Sequence, residues 1–149
     1  MKKLFALLAA LLVSGAALAE ERASPQDAED LVKTAISYLK KHGPEKAYAT
    51  YMSKSGPFIY KDLYIMVYDL NGKCLAHGAD PSRVGKDYLD AKDPDGKLFV
   101  KERVEIAKAK GKGWQDYKFL NPATKKVEQK TSYVEKVNDV IICAGAYKG

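Results

Sequence analysis

The fold is decided by residues 63–78, which read LYIMVYDLNGKCLAHG. The side chains from Leu63 to Leu70 follow a period of two, which is typical of a β-strand. Asn71-Gly72 favours a two-residue type I′ turn, and Lys73 to Gly78 then form the partner strand. This stretch therefore predicts a β-hairpin.

A two-residue loop would fix the register of this hairpin, and with it the face on which each side chain lies. One face would carry Tyr64, Met66, Tyr68, Leu75 and His77. The other would carry Ile65, Val67 and Cys74, and its apolar pair suits packing against a helix. The tyrosine face is therefore the predicted wall of a pocket.

Helices and further strands flank the hairpin. A capped amphipathic helix is predicted from Ser24 to His42, a short one from Pro44, and a third over residues 98–110. The segment from Asp80 to Gly96 is rich in Asp, Pro and Gly, and it predicts an ordered but irregular excursion. Three more strands are expected, over residues 114–120, 127–137 and 140–147. The order of these elements predicts an α+β fold with a five-stranded antiparallel sheet.

Length and composition indicate one globular domain. The chain has 149 residues, of which 46% are hydrophobic and 30% are charged. This length is typical of a single domain, and this composition excludes a disordered acidic chain.

The N-terminus has the pattern of a secretory signal peptide over residues 1–19. Lys2 and Lys3 precede an apolar run that ends in Ala17-Leu18-Ala19, a small-residue cleavage site. The alternative is a retained anchor, but the apolar run is short for a bilayer span. We therefore expect a mature domain of residues 20–149 in an oxidising, periplasmic compartment. Because export separates the chain from nucleic acid, we expect no nucleic-acid partner despite a sequence pI near 9.1.

The later strands add candidate ligand contacts to the tyrosine face. Alternation places Tyr117 with Phe119 on the third strand, and Lys130 with Ser132 on the fourth, while Tyr133 points the other way. A lysine among hydroxyl groups and aromatic rings suits a small carboxylate. Two alternatives stay open at this point: Lys130 is solvated, and His77 is an ordinary core or rim histidine.

Enzyme and metal motifs give little support to a catalytic function. The sequence has no G-x-S-x-G, no H-E-x-x-H, no glycine-rich phosphate loop and no C-x-x-C. A calcium-loop template fits Asp93, Asp95, Gly96 and Glu102, but Ala91 occupies the first position, where an acid is needed. We therefore expect a protein that is not an enzyme and that holds no metal or other cofactor.

The chain resembles the single Cache domain family, the PAS-like extracytoplasmic sensor modules of bacteria. The matching stretches follow one another in order along nearly all of the mature chain. They are residues 43–47, 64–69 with Gly72, 75–78, 85–86, 93–100, 113–114 with Tyr117, 121–122, Lys130 with 132–133, and 145–147.

This resemblance implies a long N-terminal helix on a five-stranded antiparallel sheet of strand order 2-1-5-4-3. It also implies a ligand cavity on the opposite face of the sheet, beneath the excursion from Asp80 to Gly96. Members of the family bind small metabolites, often short carboxylates or amino acids, and usually signal through a membrane helix to a chemoreceptor or a histidine kinase. This sequence shows no such helix after residue 19, so we expect a solitary exported domain that acts through a partner.

We accordingly predict a periplasmic sensor domain, with chemotaxis as one setting, that binds a small organic anion. The predicted ligand-binding residues are Tyr64, Tyr68, His77, Trp114, Tyr117, Phe119, Lys130 and Tyr133. Lys130 would neutralise a carboxylate, the tyrosines of the hairpin would donate hydrogen bonds, and Phe119 would exclude water. The N-terminal helix is the expected face for a partner or a homodimer. The alternative function is an interaction module of a membrane sensor complex without a ligand of its own.

The resemblance also bears on Cys74 and Cys143. An exported chain with two cysteines would by itself favour a disulfide. In the implied strand order, however, one strand separates them, and two strand spacings of about 4.8 Å exceed the roughly 7 Å that a disulfide tolerates between Cα atoms. We therefore expect two buried free thiols.

Overall fold

A computed structural model describes residues 22–149, so the predicted signal peptide over residues 1–19 lies outside the described residues. The helices are α1 (Pro25–His42), α2 (Pro44–Tyr51) and α3 (Phe99–Lys110), and a 3₁₀ turn spans Pro81–Arg83. The strands are β1 (Met66–Asp69), β2 (Cys74–His77), β3 (Lys112–Asn121), β4 (Lys126–Val137) and β5 (Val140–Tyr147). None of the helices in residues 22–149 is long and apolar enough to cross a membrane.

The strands form one antiparallel sheet in the order β2-β1-β5-β4-β3, which confirms the predicted α+β fold and topology. Helix α1 begins at a capping box, in which the Ser24 hydroxyl accepts the Asp27 N–H and the Asp27 carboxylate accepts the Ser24 N–H. Its apolar stripe packs with Ile65, Val67 and Ile142 on one face of the sheet. The opposite face is covered by α3 and by the irregular segment before it.

The turn between β1 and β2 differs from the predicted type I′ turn. The Asp69 N–H donates to the Lys73 carbonyl oxygen at 2.9 Å, so the loop has three residues, 70–72. The Asp69 carboxylate holds this loop by accepting the N–H groups of Asn71 and Lys73, each at 2.9 Å. Of the loop residues only Gly72 has a positive φ, of 89°, whereas a type I′ turn needs two.

The longer loop changes the faces of two side chains. Met66 pairs with His77 as predicted, but Tyr68 pairs with Cys74 across a β-bulge. The loop has one residue more than predicted, which reverses the predicted alternation at the start of β2. Cys74 therefore lies on the tyrosine face, and Leu75 packs on the α1 side. The predicted faces of these two residues were therefore wrong, whereas those of Tyr64, Met66, Tyr68 and His77 are confirmed.

Cys74 and Cys143 are both buried and unpaired, which confirms the prediction of two free thiols. Strand β1 lies between the strands that carry them.

Candidate functional site

Lys130 is the central residue of the tyrosine face. Strand β4 directs its side chain to the side of the sheet away from α1, where it is completely buried. Its Nζ atom lies 2.8 Å from the Tyr64 hydroxyl and 3.4 Å from the Tyr147 hydroxyl. The Phe119 ring lies 5.2 Å from the same atom. Lys130 is therefore not a solvated strand lysine.

The ammonium group of Lys130 starts a directed chain of hydrogen bonds. The Tyr147 hydroxyl donates to the Leu120 carbonyl oxygen at 3.0 Å, so in its 2.8 Å contact with Tyr64 it acts as the acceptor. The Tyr64 hydroxyl donates to it and in turn accepts from Lys130. The hydroxyl protons of Tyr64 and Tyr147 are thus both donated to acceptors within the protein. The ammonium group of Lys130 has three N–H groups that can donate hydrogen bonds.

A second buried cation, Arg103, faces the same side of the sheet from α3. Its Nε donates to the Gln115 side chain at 2.8 Å, and its Nη2 donates to the Tyr117 hydroxyl at 3.1 Å. The guanidinium carbon lies 4.9 Å from the centre of the Tyr68 ring. Its Nη1 is buried and has no hydrogen-bond partner among residues 22–149.

Neither cation has a carboxylate counter-ion: within the described part of the chain, no ion pair involves Lys130 or Arg103. Burial, together with the nearby Arg103 guanidinium, lowers the pKa of Lys130 to about 7. An isolated buried charge is costly unless an opposite charge joins it. The site therefore has the electrostatics of a receptor for an anion.

His77 adds a neutral hydrogen-bond donor beside the cations. Its Nδ1 accepts the Asp80 N–H at 3.0 Å, which places the proton of the neutral ring on Nε2. That Nε2 atom is buried without a partner in residues 22–149. Burial and the Lys130 charge lower the pKa of His77 to about 3, so the ring stays neutral at physiological pH.

A cavity of about 420 Å³ adjoins this cluster. Tyr64, His77 and Phe119 line it from the sheet, and Asp80 and Arg83 line it from the irregular segment. The Arg83 guanidinium stacks 4.0 Å from the centre of the Tyr88 ring, and its buried Nε also lacks a partner among the described residues.

The structure brings six of the eight predicted site residues to one face of the sheet: Tyr64, Tyr68, His77, Tyr117, Phe119 and Lys130. It does not bring Trp114 and Tyr133 there. Their rings pack 5.2 Å apart, and Tyr133 belongs to the cluster on the α1 side. The cause is strand alternation, since Trp114 and Tyr133 are register partners whose side chains point away from those of Tyr117 and Lys130.

Sequence reasoning missed Arg83, Arg103 and Tyr147. The burial of Arg103 could have been predicted, because this residue falls at helical spacing among the buried residues Phe99, Val100, Val104 and Ala107. Tyr147 could also have been found, because it shares the alternation of Cys143 on β5. Arg83 lies on an irregular segment, where no periodicity indicates direction.

Sequence comparison identifies related sensor proteins. A model of the family described as single Cache domain 2 matches residues 2–149. The sensor histidine kinase MctS of Rhizobium johnstonii is 39% identical over 74 residues, which are 50% of this chain and 16% of that protein. The methyl-accepting chemotaxis protein McpP of Pseudomonas putida is 32% identical over 88 residues, 58% of this chain and 16% of that protein. The matched region thus spans only about a sixth of each relative's length.

Solved structures share the fold at low sequence identity. A Cache chemosensory domain, whose structure was presented as a basis for carboxylic acid recognition, superposes with a TM-score of 0.73 at 24% identity, covering 91% of this chain and 99% of that one. A methyl-accepting chemotaxis protein from Vibrio parahaemolyticus gives a TM-score of 0.72 at 20% identity, covering 82% and 86% of the two chains. The periplasmic sensor domain of another chemotaxis protein gives 0.65 at 23% identity, covering 88% and 94%.

Proposed function

The chain belongs to the single Cache domain family, and on that premise we propose that it is a periplasmic sensor domain that binds a small organic anion, such as a short carboxylate. One observation carries the proposal: Lys130 and Arg103 are completely buried on one face of the sheet, and no carboxylate in residues 22–149 pairs with either. An anionic ligand would supply the missing charge.

In this proposal the donors that contact the ligand belong to Lys130, Arg103 and His77. Lys130 neutralises the carboxylate, and Tyr64 holds the ammonium group in place at 2.8 Å. The unpartnered N–H groups of Arg103 and His77 supply further hydrogen bonds. Phe119 forms an apolar wall that excludes water and strengthens these interactions. Because the unpartnered atoms are closed off from solvent, a part of the protein that covers them must move for a ligand to enter, and we propose that this part is Arg83 with its segment, which lines the cavity.

We extend the proposal to signalling through a second protein. Two relatives are a sensor histidine kinase and a chemotaxis receptor, so a membrane-bound protein of either kind is the partner that we propose. The domain would comprise residues 20–149, released into the periplasm by cleavage after Ala19, and α1 would provide the face for a partner or a homodimer. A ligand can signal there only if it binds two states of the domain with different affinity.

A thermal-shift screen of short carboxylates and amino acids tests the proposal. At a ligand concentration of 100 times Kd, binding adds about 2.7 kcal/mol to the free energy of unfolding. We expect at least one carboxylate to raise Tm, and Lys130→Met to abolish the rise. Lys136→Met is the matched control, because Lys136 lies on the same strand but is exposed.

An unchanged Tm of the wild-type protein with every compound would contradict a ligand-binding function. It would favour the alternative, an interaction module without a ligand of its own. An equal rise in the Lys130→Met variant would contradict the assigned site.

A further inference from the structure

Gly145 lies beneath the side chain of Lys130. It is the register partner of Ser132 on β4, while Lys130 is the partner of Tyr147, the next residue of β5 on the same face. A Cβ atom built on Gly145 would stand 2.6 Å from Cε and 3.0 Å from Cγ of Lys130. It would also stand 2.2 Å from the Ser132 hydroxyl oxygen. All three separations are shorter than an ordinary van der Waals contact.

Because Gly145 has no side chain, the Lys130 side chain can pass directly over its backbone. The methylene stem of Lys130 crosses the bare backbone of Gly145, and this path carries the ammonium group to the Tyr64 hydroxyl. A long aliphatic stem that packs on such a surface keeps its charged end in a defined position.

Backbone conformation does not explain why glycine stands here. The φ of Gly145 is outside the positive range, so an alanine could adopt the same backbone without strain. The position is therefore restricted by the space that Lys130 and Ser132 occupy.

We infer that Gly145 is a positioning residue, which fixes the buried ammonium group of Lys130 at the anion site by leaving room for its stem. The part of this inference that concerns ligand affinity rests on the proposed function. The part that concerns the path of Lys130 does not.

A double-mutant cycle tests the contact without any ligand. In a Ser132→Ala background, which removes the hydroxyl at 2.2 Å, Gly145→Ala should lower the urea midpoint of unfolding, and by less than half as much when Lys130→Ala also removes Cγ and Cε. Gly113→Ala, on neighbouring β3, is the control, because its Cβ would meet only the Ile106 side chain, at 2.9 Å. Equal losses from Gly145→Ala in both backgrounds would overturn the inference.

A second measurement follows the ammonium group itself. In protein labelled with ¹³C at the lysine Cε, the Lys130 signal, assigned by its loss in Lys130→Arg, should titrate near neutral pH in the wild type. In Gly145→Ala it should titrate at a higher pH, because displacement from the buried position returns the amine toward water.

Should Gly145→Ala fail to fold, Ser132→Ala with Gly145→Ala removes the contact at the hydroxyl and keeps those with Lys130. An unshifted Lys130 titration in the variant that folds would overturn the inference.

Binding of acetate and propionate links the inference to function. Relative to Ser132→Ala alone, the double variant should bind at least tenfold more weakly, while Gly113→Ala should match the wild type. Unchanged affinity in the double variant would overturn the role of Gly145 at the site. If no carboxylate binds the wild type, the proposed function fails, and the cycle and the titration still decide whether Gly145 positions Lys130.

Discussion

At the scale of single residues, the buried amine of Lys130 makes the stability of the ligand-free protein depend on pH. Its pKa falls from 10.5 in the unfolded chain to about 7 in the folded protein. Between these values the unfolded chain binds a proton at this residue that the folded chain does not, so the free energy of unfolding rises with pH. Below pH 7 the amine is protonated in both states, and the cost of burying its charge is present in full.

We therefore expect the ligand-free wild-type protein to gain stability from pH 7 to pH 9, relative to Lys130→Met. Urea unfolding of both proteins at three pH values measures the difference. At pH 6 the variant should be the more stable of the two, by about 1–3 kcal/mol, because it replaces a buried unpaired charge with an apolar side chain. Parallel pH curves for the two proteins would show that this lysine keeps its proton throughout.

His77 gives a second pH dependence, in the acid range. Burial and Lys130 lower its pKa from 6.5 to about 3, so only the unfolded chain gains a proton here as the pH falls through this interval. The wild-type protein should lose stability from pH 6.5 toward pH 4, and His77→Phe should lose less. Thermal unfolding in a pH series checks this, and equal losses in both proteins would contradict it.

At the scale of elements, the two faces of the sheet carry different side chains. Phe119 lies on the cavity side of β3, whereas Trp114 is 44% exposed on the other side of the same strand. We expect Phe119→Ala to weaken carboxylate binding at least tenfold and Trp114→Ala to leave it within twofold. Titration calorimetry with the carboxylate that gives the largest thermal shift measures both affinities. A comparable loss for Trp114→Ala would mean that the ligand contacts the opposite face.

The hairpin loop depends on Gly72 for two reasons. Its φ is positive, and an added Cβ would lie 2.9 Å from the Leu89 Cβ. Gly85 has a similar φ, of 87°, but open space where its Cβ would be. Gly85→Ala should therefore cost about 1 kcal/mol from backbone strain alone, and Gly72→Ala about 2–3 kcal/mol or more. Urea unfolding compares them, and equal costs would show that the contact with Leu89 relaxes freely.

The helices and the strands could be predicted because periodicity and capping are local patterns, whereas the order of the strands in the sheet was implied by the resemblance to a family. The β-bulge could not, because the length of the loop is set by hydrogen bonds from the Asp69 carboxylate rather than by Asn71-Gly72. Lys130 was predicted as a candidate from alternation, but its burial depends on α3 and on the space above Gly145. The burial of Lys130 thus depends on contacts between residues that are distant in the sequence. The resemblance to a family implied a cavity on this face of the sheet, but not these contacts.

At the scale of the whole molecule, α1 and the cavity lie on opposite faces of one sheet. The segment from Asp80 to Gly96 joins the hairpin to α3 and places Arg83 over the cavity. We expect a bound carboxylate to increase the protection of this segment from hydrogen exchange, because the ligand would pair with donors that the segment encloses. Protection that increases only in α1, with no change over residues 80–96, would contradict entry beneath this segment.

Lys130 and Arg103 form the proposed binding site for an anionic ligand. The most direct test is a crystal structure of the protein grown in propionate. We predict a carboxylate within about 3 Å of the Lys130 Nζ atom, hydrogen-bonded also to the free N–H of Arg103. A structure in which both cations keep only their present protein contacts, while propionate binds elsewhere or nowhere, would contradict the account.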